Sequence, residues 1–341
     1  MTVSWQARRV FVFSHPRTAC HVFFQLLATH PIFQVVTPFC CAGANEVSTE
    51  AQAVRSRQEW QDLLSMSDED ASKITWQGSI DGLQREVAEA ELNGKFALTM
   101  DHPSFLIASS QLQAHLGIRG CEAKPTPVII DRKLDVGAVY PHLDAGITPE
   151  AHPNPTLLPD RFFFSFTPII TIRHPARVLP SFLRALQRLG DDISHPEFAV
   201  HGESFRLERL IFDSFKAYEE ARAVAEGRKA KVPIVIDGDK LVRDPQDQMK
   251  ELCMLLGIDE GQLKYSWDPP RLLEHTKMAR AYMDEFNRST GIFFNPRAKE
   301  VNMAEEVRCW RKEWNEDIAR ILEEKVAAQM EDYEYLLQFS L

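Results

Sequence analysis

The stretch Arg9-Val10-Phe11-Val12-Phe13-Ser14-His15-Pro16-Arg17-Thr18-Ala19-Cys20-His21-Val22-Phe23-Phe24-Gln25-Leu26-Leu27 decides the fold. It opens on a run of Val and Phe with the length and composition of a buried parallel strand. A short polar turn follows, and apolar residues then resume at helical spacing. The pattern predicts a strand, a tight loop and a helix N-terminus. Such a helix start presents unpaired N–H groups and a partial positive charge, and Arg17 adds a cation inside the loop. That combination points to a phosphate or sulfate as ligand. The loop contains no glycine. It therefore lacks the Gly-x-x-x-x-Gly-Lys-Ser/Thr pattern of phosphate loops, which disfavours a generic ATPase or GTPase.

Working outward, further strands are predicted over 96–100, 128–130, 169–172 and 233–236. Helical patterns separate them: 22–30, 50–66, 79–93, 178–189, 205–226 and 245–256, then a long charged helix or helix pair over 304–335. Asp244 as N-cap, Pro245 at the first helical position and Gly257 at the end delimit the 245–256 helix. Strands alternating with helices imply an α/β fold, a three-layer sandwich around a central, mainly parallel sheet. The Pro-, His- and Asn-rich stretch 141–159 reads as an ordered flap. The expected organisation is one domain over 1–341.

Composition narrows the function. The chain has 341 residues, 44% hydrophobic and 26% charged, with a formal net charge of −10. An acidic chain is a poor general binder of nucleic acid, so any anion site must be local. Its apolar runs fall short of the roughly 20 residues of a membrane span. The N-terminus shows no signal-peptide core, so the expected location is the cytoplasm. Cys20, Cys40, Cys41, Cys121, Cys253 and Cys309 form no metal-ligand spacing and read as reduced, mostly buried thiols. Cys20 alone lies where chemistry is expected. No acidic cluster suggests a metal.

Four segments together resemble the sulfotransferases that use 3′-phosphoadenosine 5′-phosphosulfate (PAPS). Pro16-Arg17-Thr18-Ala19-Cys20-His21 is similar to that family's 5′-phosphosulfate loop. Ile169-Ile170-Thr171-Ile172-Arg173-His174-Pro175 delivers Arg173 at a strand end, with Ser181 eight positions later, like the pair that holds the cofactor's 3′-phosphate. The run from Val235 to Ile258 resembles the family's structural strand, turn and helix. Arg288-Ser289-Thr290-Gly291 is similar to its late loop over the nucleotide. The Pro-Arg-Thr-Ala loop and Asn154-Pro155-Thr156-Leu157-Leu158-Pro159-Asp160 look like fungal members. The resemblance covers about residues 8 to 335 and implies a P-loop NTPase-like sulfotransferase fold.

The resemblance implies the roles. Arg17, Thr18, Ala19, Cys20 and His21 would meet the 5′ end, with Arg17 and His21 also at the reacting group. Arg173 and Ser181 would hold the 3′-phosphate, and Arg288, Ser289, Thr290 and Gly291 the nucleotide. His102, after the 96–100 strand, would deprotonate the acceptor hydroxyl, with Asp101 as competing base or orienting group. Phe39, Phe105, Trp267, His142, His152 and Asn154 are candidates for the acceptor pocket. The expected partner is a small-molecule hydroxyl compound, with a secondary metabolite as one class, and neither nucleic acid nor membrane; a homo-oligomer is left open. Four positions depart from the family pattern: Ala19 for Gly, Cys20 and His21 for hydroxyl residues, and Met100 for Lys. They keep two alternatives open. One is an enzyme on the same fold without PAPS, using His15, His21, Asp101 and His102 for acid–base chemistry on a biosynthetic intermediate. The other is a non-catalytic binding protein.

Overall fold

The computed structural model describes residues 8–37, 75–108, 126–136, 149–194, 204–271, 276–292 and 300–341, with isolated positions between 61 and 114. The helix predicted over 50–66 lies outside them but for such isolated positions. Phe39, Cys40, Cys41, Cys121 and His142 lie outside them entirely.

Five strands form one parallel sheet: β1 Arg9–Ser14, β2 Phe33–Val35, β3 Phe96–Asp101, β4 Thr167–Ile172 and β5 Ile234–Asp237, in the order β2-β3-β1-β4-β5. Among the described residues the helices are α1 Cys20–Ala28, α2 Trp76–Leu92, α3 Pro103–Leu106, α4 Asp160–Phe163, α5 Pro175–Leu189, α6 Phe205–Glu226, α7 Gly238–Arg243, α8 Pro245–Leu256, α9 Lys277–Asn287, α10 Met303–Glu313 and α11 Glu316–Leu337. None is long and apolar enough to cross a membrane.

Strand alternation sorts the two faces. Val10 and Val12 of β1 join Leu98, Ile169 and Ile236 under Phe23 and Leu27 of α1 and Leu252 of α8. Phe11 and Phe13 point the other way, into an aromatic core with Phe163, Phe166 and Phe215. The rings of Phe11 and Phe13 stack at 4.2 Å, and Phe166 meets Phe11 edge-on at 5.3 Å. With helices covering both faces, the α/β three-layer expectation holds, and the sheet is parallel throughout.

One predicted strand is corrected, and the C-terminal pattern is resolved between its two alternatives. Residues 128–130 form no strand. Pro127 has no N–H for a ladder, and Val128 and Ile130 are 90% and 61% exposed. The short edge strand Phe33–Val35 takes the sheet position instead. Its alternation is weak, since Val35 is exposed. The long C-terminal pattern is a helix pair, broken where Asn315 caps α11 by accepting from the Ile318 N–H at 2.9 Å. Of the thiols read as mostly buried, Cys20 and Cys253 are buried and Cys309 is exposed.

Residues 126–136 are held by charge rather than by a ladder. Arg9, fully buried on β1, donates to Glu91 at 2.8 Å and to Asp135 at 2.6 Å. Arg161 reaches Asp135 at 2.6 Å and Asp131 at 2.7 Å. The two guanidiniums thus sit among three carboxylates. Removing one partner would leave buried charge uncompensated. Arg9→Met is expected to lower unfolding stability by about 3–5 kcal/mol, read by chemical denaturation; a loss below about 1 kcal/mol would mean the network behaves as a surface pair.

Candidate functional site

The C-terminal ends of β1, β3, β4 and β5 share one edge of the sheet, and the chemistry-bearing residues follow them. After β1 the chain makes a tight loop in which Arg17 (φ 67°) and Ala19 (φ 64°) both adopt the left-handed conformation. Non-glycine residues pay for that geometry, so the loop must be held from outside. Thr18 does this: its hydroxyl donates to the His15 carbonyl at 2.7 Å and pairs with the Thr171 hydroxyl of β4 at 2.7 Å. That hydroxyl is buried and committed within the protein, so only the Thr18 backbone remains for a ligand.

A second brace comes from β5. A Cβ added at Gly238 would lie 2.2 Å from the Thr18 carbonyl oxygen and 3.3 Å from that of Ile172. The turn after β5 therefore packs on the loop after β1, and only glycine allows it.

The loop ends at α1, whose first turn has no side-chain cap and no acidic residue. Its N-terminal N–H groups are the natural partners of an anion. Cys20, at the first helical position, is buried, and burial pushes its thiol up against the opposing effects of Ser14, Arg17 and Thr18. A protonated, buried thiol is a poor nucleophile and a weak donor.

Arg17 crosses from the loop to two helices. Its Nε donates to the Ser181 hydroxyl of α5 at 2.9 Å and its Nη1 to the Tyr282 carbonyl of α9 at 2.5 Å. Among the described residues both hydrogen-bond partners are neutral, and burial lowers its pKa. Ser181 accepts from Arg17 and so keeps its own O–H to donate. The structure brings these two sequence candidates into direct contact.

Arg173 is held differently. Its Nε donates to Asp239 Oδ1 at 2.9 Å. Among the described residues its terminal nitrogens make no hydrogen bond. Arg177 Nε lies 3.4 Å from the same oxygen, and the His174 N–H donates to Oδ2 at 3.3 Å. Sequence reasoning missed Asp239; its signal was the N-terminal position on a short helix directly after β5.

His102 follows β3. Its Nδ1 lies 2.6 Å from the Ser14 carbonyl and 3.0 Å from the Ser14 hydroxyl. A carbonyl only accepts, so Nδ1 carries the proton and Nε2 the lone pair. Burial lowers its pKa, against the Ser14 hydrogen bond and with the help of Arg17. Asp101 Oδ1 accepts from the His102 N–H at 2.8 Å. Asp101 therefore shapes the backbone turn there.

His21 lies close enough for His102 and Arg17 to depress its pKa further, after burial has lowered it, to about 3. Its ring lies 5.5 Å from Phe286, and that of His102 lies 5.7 Å from Phe105. His15 does not join them. It is buried, stacks on Phe205 at 4.2 Å and donates to the Pro16 carbonyl at 2.9 Å.

The late loop docks on 265–267. The Trp267 N–H donates to the Thr290 carbonyl at 3.0 Å, Trp267 Nε1 to the Ser289 hydroxyl at 3.3 Å, and Gly291 bridges Ser266. Arg288 is exposed and paired with Asp284. His152 is exposed, and Asn154 closes a turn by donating to the Leu158 carbonyl.

No family model matches the chain. Sulfotransferase ppzF of Metarhizium majus (strain ARSEF 297) is 27% identical over 345 residues, covering 96% of this chain and 95% of that protein. Sulfotransferase ppzF of Metarhizium rileyi (strain RCEF 4871) is 25% identical, covering 96% and 94%. Among solved structures, the sulfotransferase domain of the Synechococcus PCC 7002 olefin synthase aligns over 96% of both chains, with 16% identity and TM-score 0.37. The sulfotransferase domain from the curacin biosynthetic pathway aligns over 97% of this chain and 98% of its own, with 13% identity and TM-score 0.36.

Two predictions follow from the geometry. Gly238→Ala is expected to destabilise the fold by about 1–3 kcal/mol and to displace the Arg17 loop; unchanged denaturation would show that the two turns can separate. His21, His102 and His174 all have folded pKa values lowered by burial from the ordinary 6.5. The unfolded chain therefore binds more protons below that value, and stability falls as pH drops through it. Melting temperature should decline from about pH 7 to about pH 5. His174 Nδ1 caps α5 by accepting from the Ala176 N–H at 3.1 Å. In His174→Asn, which can still cap, the decline should be shallower.

Proposed function

We propose that this chain, a sulfotransferase-like protein with fungal relatives, transfers a sulfuryl group from PAPS to a hydroxyl of a small molecule, with a secondary metabolite as the acceptor class. The observation that carries the reading is a pair of arginines at the C-terminal edge of the sheet, Arg17 after β1 and Arg173 after β4. Arg17 is paired with neutral oxygens, and among the described residues the terminal fork of Arg173 makes no hydrogen bond. Two such cationic groups suit a ligand with anions at both ends.

The residues fit PAPS. The uncapped first turn of α1 offers backbone N–H groups to the 5′-phosphate. Ala19 to Val22 provide them, and Thr18 contributes its backbone. Arg173 and Ser181 would hold the 3′-phosphate; Ser181, which accepts from Arg17, keeps its own O–H to donate. Ser289, Thr290 and Gly291, tied to the Trp267 segment, would flank the nucleotide. Arg288 is turned to Asp284 and contributes least. When bound, PAPS would supply the sulfuryl group and remain as adenosine 3′,5′-bisphosphate.

The chain's own groups then divide the work. Arg17, a partly buried cation, offsets negative charge developing at the phosphate end of the breaking bond. His102 takes the acceptor's proton at Nε2, the nitrogen its contact with Ser14 leaves unprotonated. Its lowered pKa keeps that lone pair available below the usual histidine range. His21, neutral for the same reason, adds a polar wall without a positive charge.

The runner-up is an acid–base enzyme without PAPS, which the neighbouring neutral pair His21 and His102 favours; His15, packed on Phe205, is not part of that pair.

Saturating adenosine 3′,5′-bisphosphate is expected to stabilise the wild type by about 2–3 kcal/mol in thermal melts, and Arg173→Ala to abolish most of the shift. No shift in the wild type would remove PAPS and favour the runner-up. His102→Gln should keep the shift and lower kcat about 100- to 10,000-fold in an assay with PAPS and a panel of hydroxyl acceptors.

A further inference from the structure

We propose that Asp239 is the positioning residue of the Arg173 anion site. The name of the ligand rests on the PAPS reading above. The chemistry, a guanidinium aimed by a carboxylate, rests on the geometry.

Among the described residues Arg173 is tied through Nε alone, to Asp239 Oδ1 at 2.9 Å. A guanidinium held by that edge keeps its planar fork of terminal donors for a bidentate anion. Both side chains are partly sheltered, at 22% and 17% exposed, so the contact is more than a screened surface pair. Asp239 is itself fixed twice. Its N–H donates to Asp237 Oδ1 at 2.9 Å, and its Oδ2 accepts from the His174 N–H at 3.3 Å.

The turn carrying Asp239 also touches the other end of the site. Gly238 abuts the Thr18 carbonyl with no room for a side chain. One three-residue turn, Asp237-Gly238-Asp239, therefore sets the Arg173 fork relative to the loop that bears Arg17. Charge alone predicts the opposite effect for Asp239. A carboxylate beside an anion site repels the anion, and its removal should tighten binding. Positioning predicts that its removal weakens binding despite the gain in positive charge.

Calorimetric titration of wild type, Asp239→Asn, Asp239→Ala, Arg173→Ala and the Ala–Ala double variant separates these cases. The probes are adenosine 3′,5′-bisphosphate, adenosine 5′-monophosphate and inorganic phosphate. Asp239→Ala is expected to weaken the bisphosphate about tenfold or more and to leave the monophosphate nearly unchanged. Asp239→Asn, which keeps an acceptor oxygen for Arg173 Nε, should bind within about threefold of wild type. In the Arg173→Ala background the Asp239→Ala effect should vanish. Equal or tighter bisphosphate binding by Asp239→Ala overturns the proposal and leaves the PAPS reading intact. If wild type does not distinguish the bisphosphate from the monophosphate, the PAPS reading fails. Inorganic phosphate then decides the proposal: a parallel loss in Asp239→Ala and Arg173→Ala supports it, and unchanged or absent phosphate binding overturns it. Should Asp239→Ala fail to fold, Asp239→Ser removes the same reach and takes its place.

Discussion

Parallel strands can be joined only by crossovers that carry the chain back to the starting edge of the sheet. Every strand of this sheet therefore delivers its following residue to one common edge, and the site is built there. Register sets which residues meet. Phe13 pairs with Asp101, Ser14 with Thr171 and Ile172 with Asp237. His102 therefore arrives beside Ser14, and Arg173 beside the turn holding Asp239. Residues far apart in the chain, such as Thr18 and Gly238, thereby become neighbours.

The loop after β1 is the strained part of this arrangement. Two left-handed residues other than glycine, Arg17 and Ala19 with Thr18 between them, are unfavourable unless neighbouring structure over-determines them. Here the Thr18 hydroxyl, anchored on β4, and the contact with Gly238 of the β5 turn supply that restraint. The restraint explains how Ala19 can stand where relatives of the resembled family carry glycine. It also makes the loop's shape depend on two other strands, so changes far away in sequence will be felt at Arg17.

Electrostatics at the site run against the acidic character of the whole chain. Arg17 is solvated by a hydroxyl and a carbonyl, which leaves its charge uncompensated by those bonds. Arg173 shares a carboxylate with Arg177, which tempers the charge and directs it. Nearby His21 and His102 stay neutral because burial disfavours their protonated forms. The positive potential is therefore confined to the arginines and the N-terminus of α1. Away from the site a different solution operates: buried Arg9 and part-buried Arg161 are paired with carboxylates and fasten 126–136 to β1.

Strong local signals were legible in the sequence. The apolar runs at 10–13 and 169–172, the Asp244–Pro245 start and Gly257 end of α8, and the whole of α6 follow from periodicity and capping. The cation in the loop after the first strand identified Arg17, and resemblance to the sulfotransferase pattern identified Arg173 and Ser181. Weak local signals misled: 128–130 has strand composition but lacks a ladder partner, and Phe33–Val35 is too short and one-sided to announce itself. What only the tertiary structure decided was pairing. Arg17 on Ser181, Asp239 on Arg173, and the Ser14 carbonyl on His102 are contacts across the sheet edge. Periodicity and capping act within a few residues, whereas these partners are brought together by strand order and register. Sequence alone thus determined which groups have the chemistry; the sheet determined which atom each of them presents.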